Sequence, residues 1–101
     1  MARSSHRYDN MSITEIFNSV EKNYGYTKKD ILSTNRKQPL ALVRQVAVYL
    51  ARQDGILYED LGRIFKRHFS NCINSHRVIG DRISINDPQV VEVVKTIREV
   101  A

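Results

Sequence analysis

Ser70, Asn71 and Asn74 follow directly on the basic triplet Lys66-Arg67-His68. Short amide and hydroxyl side chains can hydrogen-bond the edges of base pairs, and an asparagine engages an adenine edge through two atoms at once. Cationic side chains set beside them meet phosphates, which position a duplex without reading it. Arg67 and His68 would stand at the positive end of any helix starting there, where phosphate is favoured. On such a helix Arg77 shares an outer face with Ser70, Asn71, Asn74 and Asp81. The bland alternative is a polar turn between two ordinary surface helices.

A second group of cations lies upstream. Arg44 interrupts a run, Leu40 to Ala51, in which only it and Gln45 are polar. Lys37 precedes Arg44 by seven residues and falls on nearly the same helical face. A charge inside a buried run must pair internally or reach an external anion. A core salt bridge to Asp60 or Glu59 is one solution; a phosphate track shared with Arg36, Lys37 and Arg52 is the other, and the clustering of these cations favours it.

Other chemistry is less well served. His68, Cys72 and His76 form a helical row at four-residue spacing, but a zinc site needs a further ligand and none is evident, so no metal is expected. Cys72 reads as core filling and His76 as an inward ring bonded to a backbone group. Glu59 and Asp60 are adjacent and diverge on a helix, which excludes an acid–base pair. No Gly-x-x-x-x-Gly-Lys-Ser/Thr loop for nucleotide phosphates occurs. The expectation is a non-enzymatic protein with no catalytic residue, no cofactor and no small-molecule substrate.

The totals agree with a basic binding module. The 101 residues carry 16 Lys and Arg against 11 Asp and Glu, a net charge of +5. Residues 28–82 hold eleven basic and five acidic side chains, so the excess lies in the middle of the chain. Such a balance suits nucleic acid, an anionic surface or an acidic protein. No apolar run approaches the roughly 20 residues of a membrane span, and the first ten residues are unlike a secretory signal. A single cysteine allows no internal disulfide. A cytoplasmic, nucleoid-associated setting is expected, with no membrane partner.

These side chains must be carried by helices. Residues 1–10 read as a flexible tail and 11–101 as one helical domain. Ser12 with Glu15 makes a capping box before the stripe Ile13, Ile16, Phe17, Val20, and Gly25 ends that helix. Thr27 caps a short second helix holding Ile31 and Leu32. Pro39 suits the first turn of a third, central helix that Asp54-Gly55 terminates. Tyr58 to Phe65 and about Phe69 to Ile83 are two more, with Phe69, Cys72, Ile73, His76, Ile79 and Ile83 expected on the inner face of the latter. Asp87-Pro88 opens a last helix with the stripe Val90, Val91, Val94, Ile97. The fold class is all-α, a compact domain of about six helices. Two short helices across a three-residue turn, about 57–83, have the dimensions of a helix-turn-helix.

The run Asn35-Arg36-Lys37, then Val43-Arg44-Gln45-Val46-Ala47-Val48-Tyr49-Leu50-Ala51, then Leu61-Gly62-Arg63-Ile64-Phe65, resembles the C-terminal DNA-binding domain (domain IV) of the bacterial chromosomal replication initiator DnaA, with a TrpR-like helix-turn-helix. The likeness covers about residues 20–82. The family shows an Arg-Gln-x-Ala-x-x-Leu core helix, an Ile-Gly-x-x-Phe helix and a signature near Gly-Gly-Arg-Asp-His-Thr-Thr-Val. Here one turn glycine is missing: Arg67 stands on the family arginine, His68 replaces Asp, Phe69 replaces His, Ser70 and Asn71 replace the Thr pair, and Asn74 falls on a histidine. The resemblance implies double-stranded DNA as partner, with Arg36, Arg67, Ser70 and Asn71 as contacts, Arg44 and Arg52 on phosphates, and a changed or relaxed sequence preference. It further implies a regulator or accessory factor of replication or transcription, acting without ATPase activity.

The full set of expected DNA-binding residues is Arg36, Lys37, Arg44, Arg52, Lys66, Arg67, His68, Ser70, Asn71, Asn74 and Arg77. The rival reading is a protein-interaction domain whose basic face docks an acidic partner. Residues 90–100 could join two copies in a homodimer, although packing of that stripe on the domain's own core explains it equally.

Overall fold

The computed structural model describes residues 11–99; the expected tail, residues 1–10, and the last two residues lie outside them. Six α-helices make up the fold: α1 Ile13–Tyr24, α2 Lys28–Leu32, α3 Leu40–Gln53, α4 Tyr58–Phe65, α5 Phe69–Ser84 and α6 Pro88–Arg98, with no strand among the described residues. Local chemistry sets most of these limits. Ser12 and Glu15 close the capping box of α1, and Thr27 forms a second box with Asp30 at α2. Gly25 ends α1 at φ 76°, a left-handed conformation that glycine adopts without a Cβ clash. Asp87 caps α6 ahead of Pro88. Pro39 sits at the N-cap of α3, one residue before its expected place in the first turn.

Helix α3 is central, packing against α1, α2, α4, α5 and α6. Val43, Val46, Ala47, Leu50 and Ala51 are buried on it, as an apolar helix requires. Ile16 and Val20 of α1, Leu61 and Phe65 of α4, Ile79 of α5, and Val90 and Ile97 of α6 complete the core. Phe17 meets Phe65 ring to ring at 5.6 Å, joining α1 to α4. The buried Ser19 hydroxyl donates to the Ile97 carbonyl and clamps α1 to α6. The inner line of α6 is Val90, Val93 and Ile97. Val91 and Val94, expected on that line, are only half-buried, because α6 turns its third, sixth and tenth residues, Val90, Val93 and Ile97, into the core.

Candidate nucleic-acid interface

Helices α4 and α5 pack closely on each other and are joined by a very tight turn. Lys66 takes a left-handed conformation, φ 56°, and the Arg67 amide donates to the Gly62 carbonyl. The turn folds back so closely that a Cβ on Gly62 would lie 2.7 Å from the Arg67 carbonyl oxygen and 3.3 Å from the Phe69 amide nitrogen. Only glycine leaves this space free. His68 then caps α5: its Nδ1 accepts from the Ser70 amide at 3.2 Å and lies 2.8 Å from the Ser70 hydroxyl. An imidazole thus does what a short carboxylate or hydroxyl usually does at this position.

An open groove of about 710 Å³ runs between the 33–38 loop, the start of α3, the α4–α5 turn and one shoulder of α5. Arg36, Arg44, Lys66, Arg67, Asn71 and Asn74 line it, together with Gln38 and Gln45. Its lining holds four cations and no carboxylate. Arg36 and Lys66 are exposed and uncommitted to any partner among the described residues. Gln38 and Gln45 are not among the residues expected from sequence, although Gln45 is the only polar companion of Arg44 between Leu40 and Ala51.

Arg44 and Arg67 are held differently. Arg44 is 6% exposed, and its Nε donates to the Ile31 carbonyl at 2.7 Å. Its Nη2 reaches the Asp30 carbonyl at 3.3 Å and the Ser33 hydroxyl at 3.5 Å. Arg67 donates to the Phe65 carbonyl at 3.0 Å and to the Ser33 carbonyl at 2.7 Å. The two guanidinium groups therefore tie the end of α2 to α3 and to the turn, using carbonyls that helix ends leave without partners. Burial lowers the pKa of both, and the charge of Arg67 lowers that of Arg44 further; among the described residues neither forms an ion pair with a carboxylate. Neither carboxylate considered for Arg44 serves it: Asp60 pairs with Arg63 at 2.5 Å, and Glu59 is exposed.

The remaining expected residues divide. Ser70 and Arg77 lie on the exposed face of α5, with Arg77 donating to Asn74 Oδ1 at 2.7 Å. Lys37 is exposed beside Arg36 but is not in the groove wall. Arg52 is not brought to the groove. It donates to the Ile56 carbonyl and lies over the Tyr58 ring at 4.4 Å, because α3 carries it to the opposite end of the helix. His76 bonds side chains rather than backbone: Nδ1 is 3.2 Å from the Tyr58 hydroxyl and Nε2 is 2.9 Å from Gln53 Oε1, with Tyr49 stacked on the ring.

The inner face of α5 also needs correction. Cys72, Ser75 and Ile79 are buried, whereas Phe69 is 44% and Ile73 39% exposed. The phase of α5 is dictated by the tight turn against Gly62, which overrides the count of apolar side chains. His68, Cys72 and His76 consequently serve a cap, the core and an aromatic cluster; among the described residues no three potential ligands gather to hold a metal ion.

Helices α4 and α5 braced on a central α3 define a helix-turn-helix domain. The profile of the family described as "Bacterial dnaA protein helix-turn-helix" matches residues 13–79, and the chain belongs to that family. It is 32% identical over 77 residues to a chromosomal replication initiator protein DnaA of Chlamydia pneumoniae, which covers 75% of this chain and 17% of that protein. Similarity to the chromosomal replication initiator protein DnaA of Streptococcus agalactiae is 37% over 84 residues, 80% of this chain and 18% of the relative. The chain thus spans less than a fifth of the length of these curated relatives.

Proposed function

We propose that this domain binds double-stranded DNA, with the groove taking phosphate backbone and the exposed face of α5 entering the major groove. One observation carries the reading: four cations and two asparagines share one groove wall that contains no carboxylate. Arg36 and Lys66 supply free charge for phosphates, Arg44 and Arg67 hold the wall and strengthen its field, and Asn71, Asn74 and Ser70 present hydrogen-bonding groups to base edges. Lys37 and Arg77 extend the cationic edge, and His68 holds the start of α5 against the duplex. Membership of a family whose relatives are named replication initiators supports a role on DNA, as a regulator or accessory factor of replication or transcription on the nucleoid. These 101 residues contain no nucleotide-phosphate loop.

Fluorescence polarisation with a random-sequence duplex at rising salt tests this. Affinity should fall steeply, each neutralised phosphate adding about −0.9 to the slope of log K against log salt. No binding at micromolar protein in low salt would overturn the proposal and leave the acidic-protein partner as the better reading.

A further inference from the structure

The corner between α5 and α6 carries an apolar surface that lies apart from the groove. In α6 the core takes Val90, Val93 and Ile97 and leaves Val91 and Val94 half-buried. These two valines and Ile83, from the last turn of α5, floor an open hollow of about 420 Å³. Lys95 and Glu99 stand on its rim, one turn apart on α6, and neither enters an ion pair among the described residues. Beside the hollow, in the turn between the helices, Ile85 is 75% exposed, more than any other large apolar side chain among the described residues. That turn is clamped. The Asn86 amide donates to the Ile83 carbonyl and the Asp87 amide to the Arg82 carbonyl, both at 2.9 Å. Arg82 Nε donates to the Asp87 carboxylate at 2.8 Å, and Asn86 takes a left-handed conformation at φ 56°. Ile85 is therefore a knob fixed next to a hole.

We propose that this corner joins two copies of the chain, each copy's Ile85 entering the hollow of the other about a two-fold axis. Such a contact presents the same patch from both sides, so it needs a surface complementary to itself. A projecting isoleucine beside an apolar hollow meets that requirement. A rim with one charge of each sign meets it too, because the axis can set Lys95 of one copy against Glu99 of the other. A hollow alone would suit many apolar partners; the knob held beside it singles out a second copy. The DNA-facing surface stays free, since no residue lines both the groove and the hollow, and about 14 Å of α5 separates Asn74 from Ile83. The dimer carries two helix-turn-helix units related by two-fold symmetry, which suits a duplex whose site is repeated in inverted orientation. An interface confined to one corner is small beside the roughly 1,200 Å² or more of stable complexes, so a dissociation constant of about 10–500 µM is expected without DNA.

Sedimentation equilibrium of the 101-residue protein, at concentrations bracketing that range and with no DNA present, tests this. The mass should rise from that of the 11.7 kDa chain toward twice that value. Dimerisation should persist in high salt, because its contact is mainly apolar, whereas DNA binding should not. On dilution, amide NMR shifts should move at residues 83–86 and 91–99 and stay fixed along the groove. Ile85→Asp should leave a folded monomer throughout, with Tm unchanged because the side chain is exposed, and Ile85→Leu should keep the dimer. Ile85→Ala should weaken the pair at least about tenfold, since two isoleucine side chains leave the interface. If Ile85→Asp proves unfolded by circular dichroism, the dilution shifts of the unsubstituted protein decide alone. A monomer at every concentration, a dimer that survives Ile85→Asp, or dilution shifts confined to other surfaces refutes the corner contact. Each of those results leaves DNA binding to its own assay, in which a monomer suffices.

Discussion

Replacing Arg44 by methionine separates a positioning role from a phosphate contact. The substitution keeps most of the apolar stem and removes only the guanidinium. What is lost is a 2.7 Å hydrogen bond to the Ile31 carbonyl and a longer one to the Asp30 carbonyl, both at the end of α2. A hydrogen bond from a charged donor contributes about 1.5–3 kcal/mol, and a buried carbonyl stranded without a partner costs about 1–3 kcal/mol. Relief of the buried charge offsets part of this, since no carboxylate among the described residues pairs with Arg44. The net expectation is a loss of about 2 kcal/mol, which for a domain of this size lowers Tm by roughly 10 °C. Urea unfolding reads it directly, as a lower midpoint at unchanged m-value. The DNA salt slope of the folded variant should move by less than the roughly 0.9 expected for a lost phosphate contact. A midpoint like that of the unsubstituted protein, together with a full loss of slope, would show that Arg44 meets phosphate and does not brace α2.

Arg36→Ala and Lys66→Ala should behave in the opposite way, each reducing the salt slope by up to about 0.9 with Tm unchanged, because both are exposed and unpartnered among the described residues; a drop in Tm would show that they hold the loop or turn instead. Asn71→Ala should flatten sequence preference in a selection from random duplexes, and uniform weakening on every sequence would contradict its place on the reading face. Gly62→Ala should destabilise the domain by about 1–3 kcal/mol despite the better helix propensity of alanine, since its Cβ meets a backbone carbonyl at 2.7 Å; a Tm at or above that of the unsubstituted protein would mean that the turn can shift. Burial first, and then the charge of Arg52, lowers the pKa of His76. The folded protein therefore binds that proton less readily than the unfolded chain, so this contribution to stability is complete above pH about 6.5 and is lost as pH falls below it. His76→Gln should flatten the urea midpoint between about pH 7 and 5, and an unchanged profile would place the pH dependence elsewhere.

Much of this protein is legible residue by residue because the signals are local. Capping boxes, a glycine stop and Asp87-Pro88 act over three or four residues, so the limits of α1, α2 and α6 follow from sequence. The mostly apolar run of α3, broken only by Arg44 and Gln45 between Leu40 and Ala51, names the centre of the fold for a similar reason: nowhere else could it be hidden. The charge excess of the middle segment and the asparagines after the basic turn likewise pointed to a polar, cation-rich face. Side-chain types alone misjudged the phase of α5. Phe69 and Ile73 resemble core residues, and Ser75 resembles a surface one, but the reverse arrangement holds.

The helices, their order, the central place of α3 and the family likeness were determined by the sequence itself, since each depends on neighbours a few positions apart or on the count of apolar groups in one run. Tertiary structure alone decided which cations remain free. Arg44 and Arg67 turn to backbone carbonyls of α2, α4 and the loop between α2 and α3, Arg52 is drawn to Ile56 and Tyr58, and Arg36 and Lys66 are left open. Those partners are up to 34 residues away in sequence, and a helix end exposes its carbonyls only once another helix has been packed beside it.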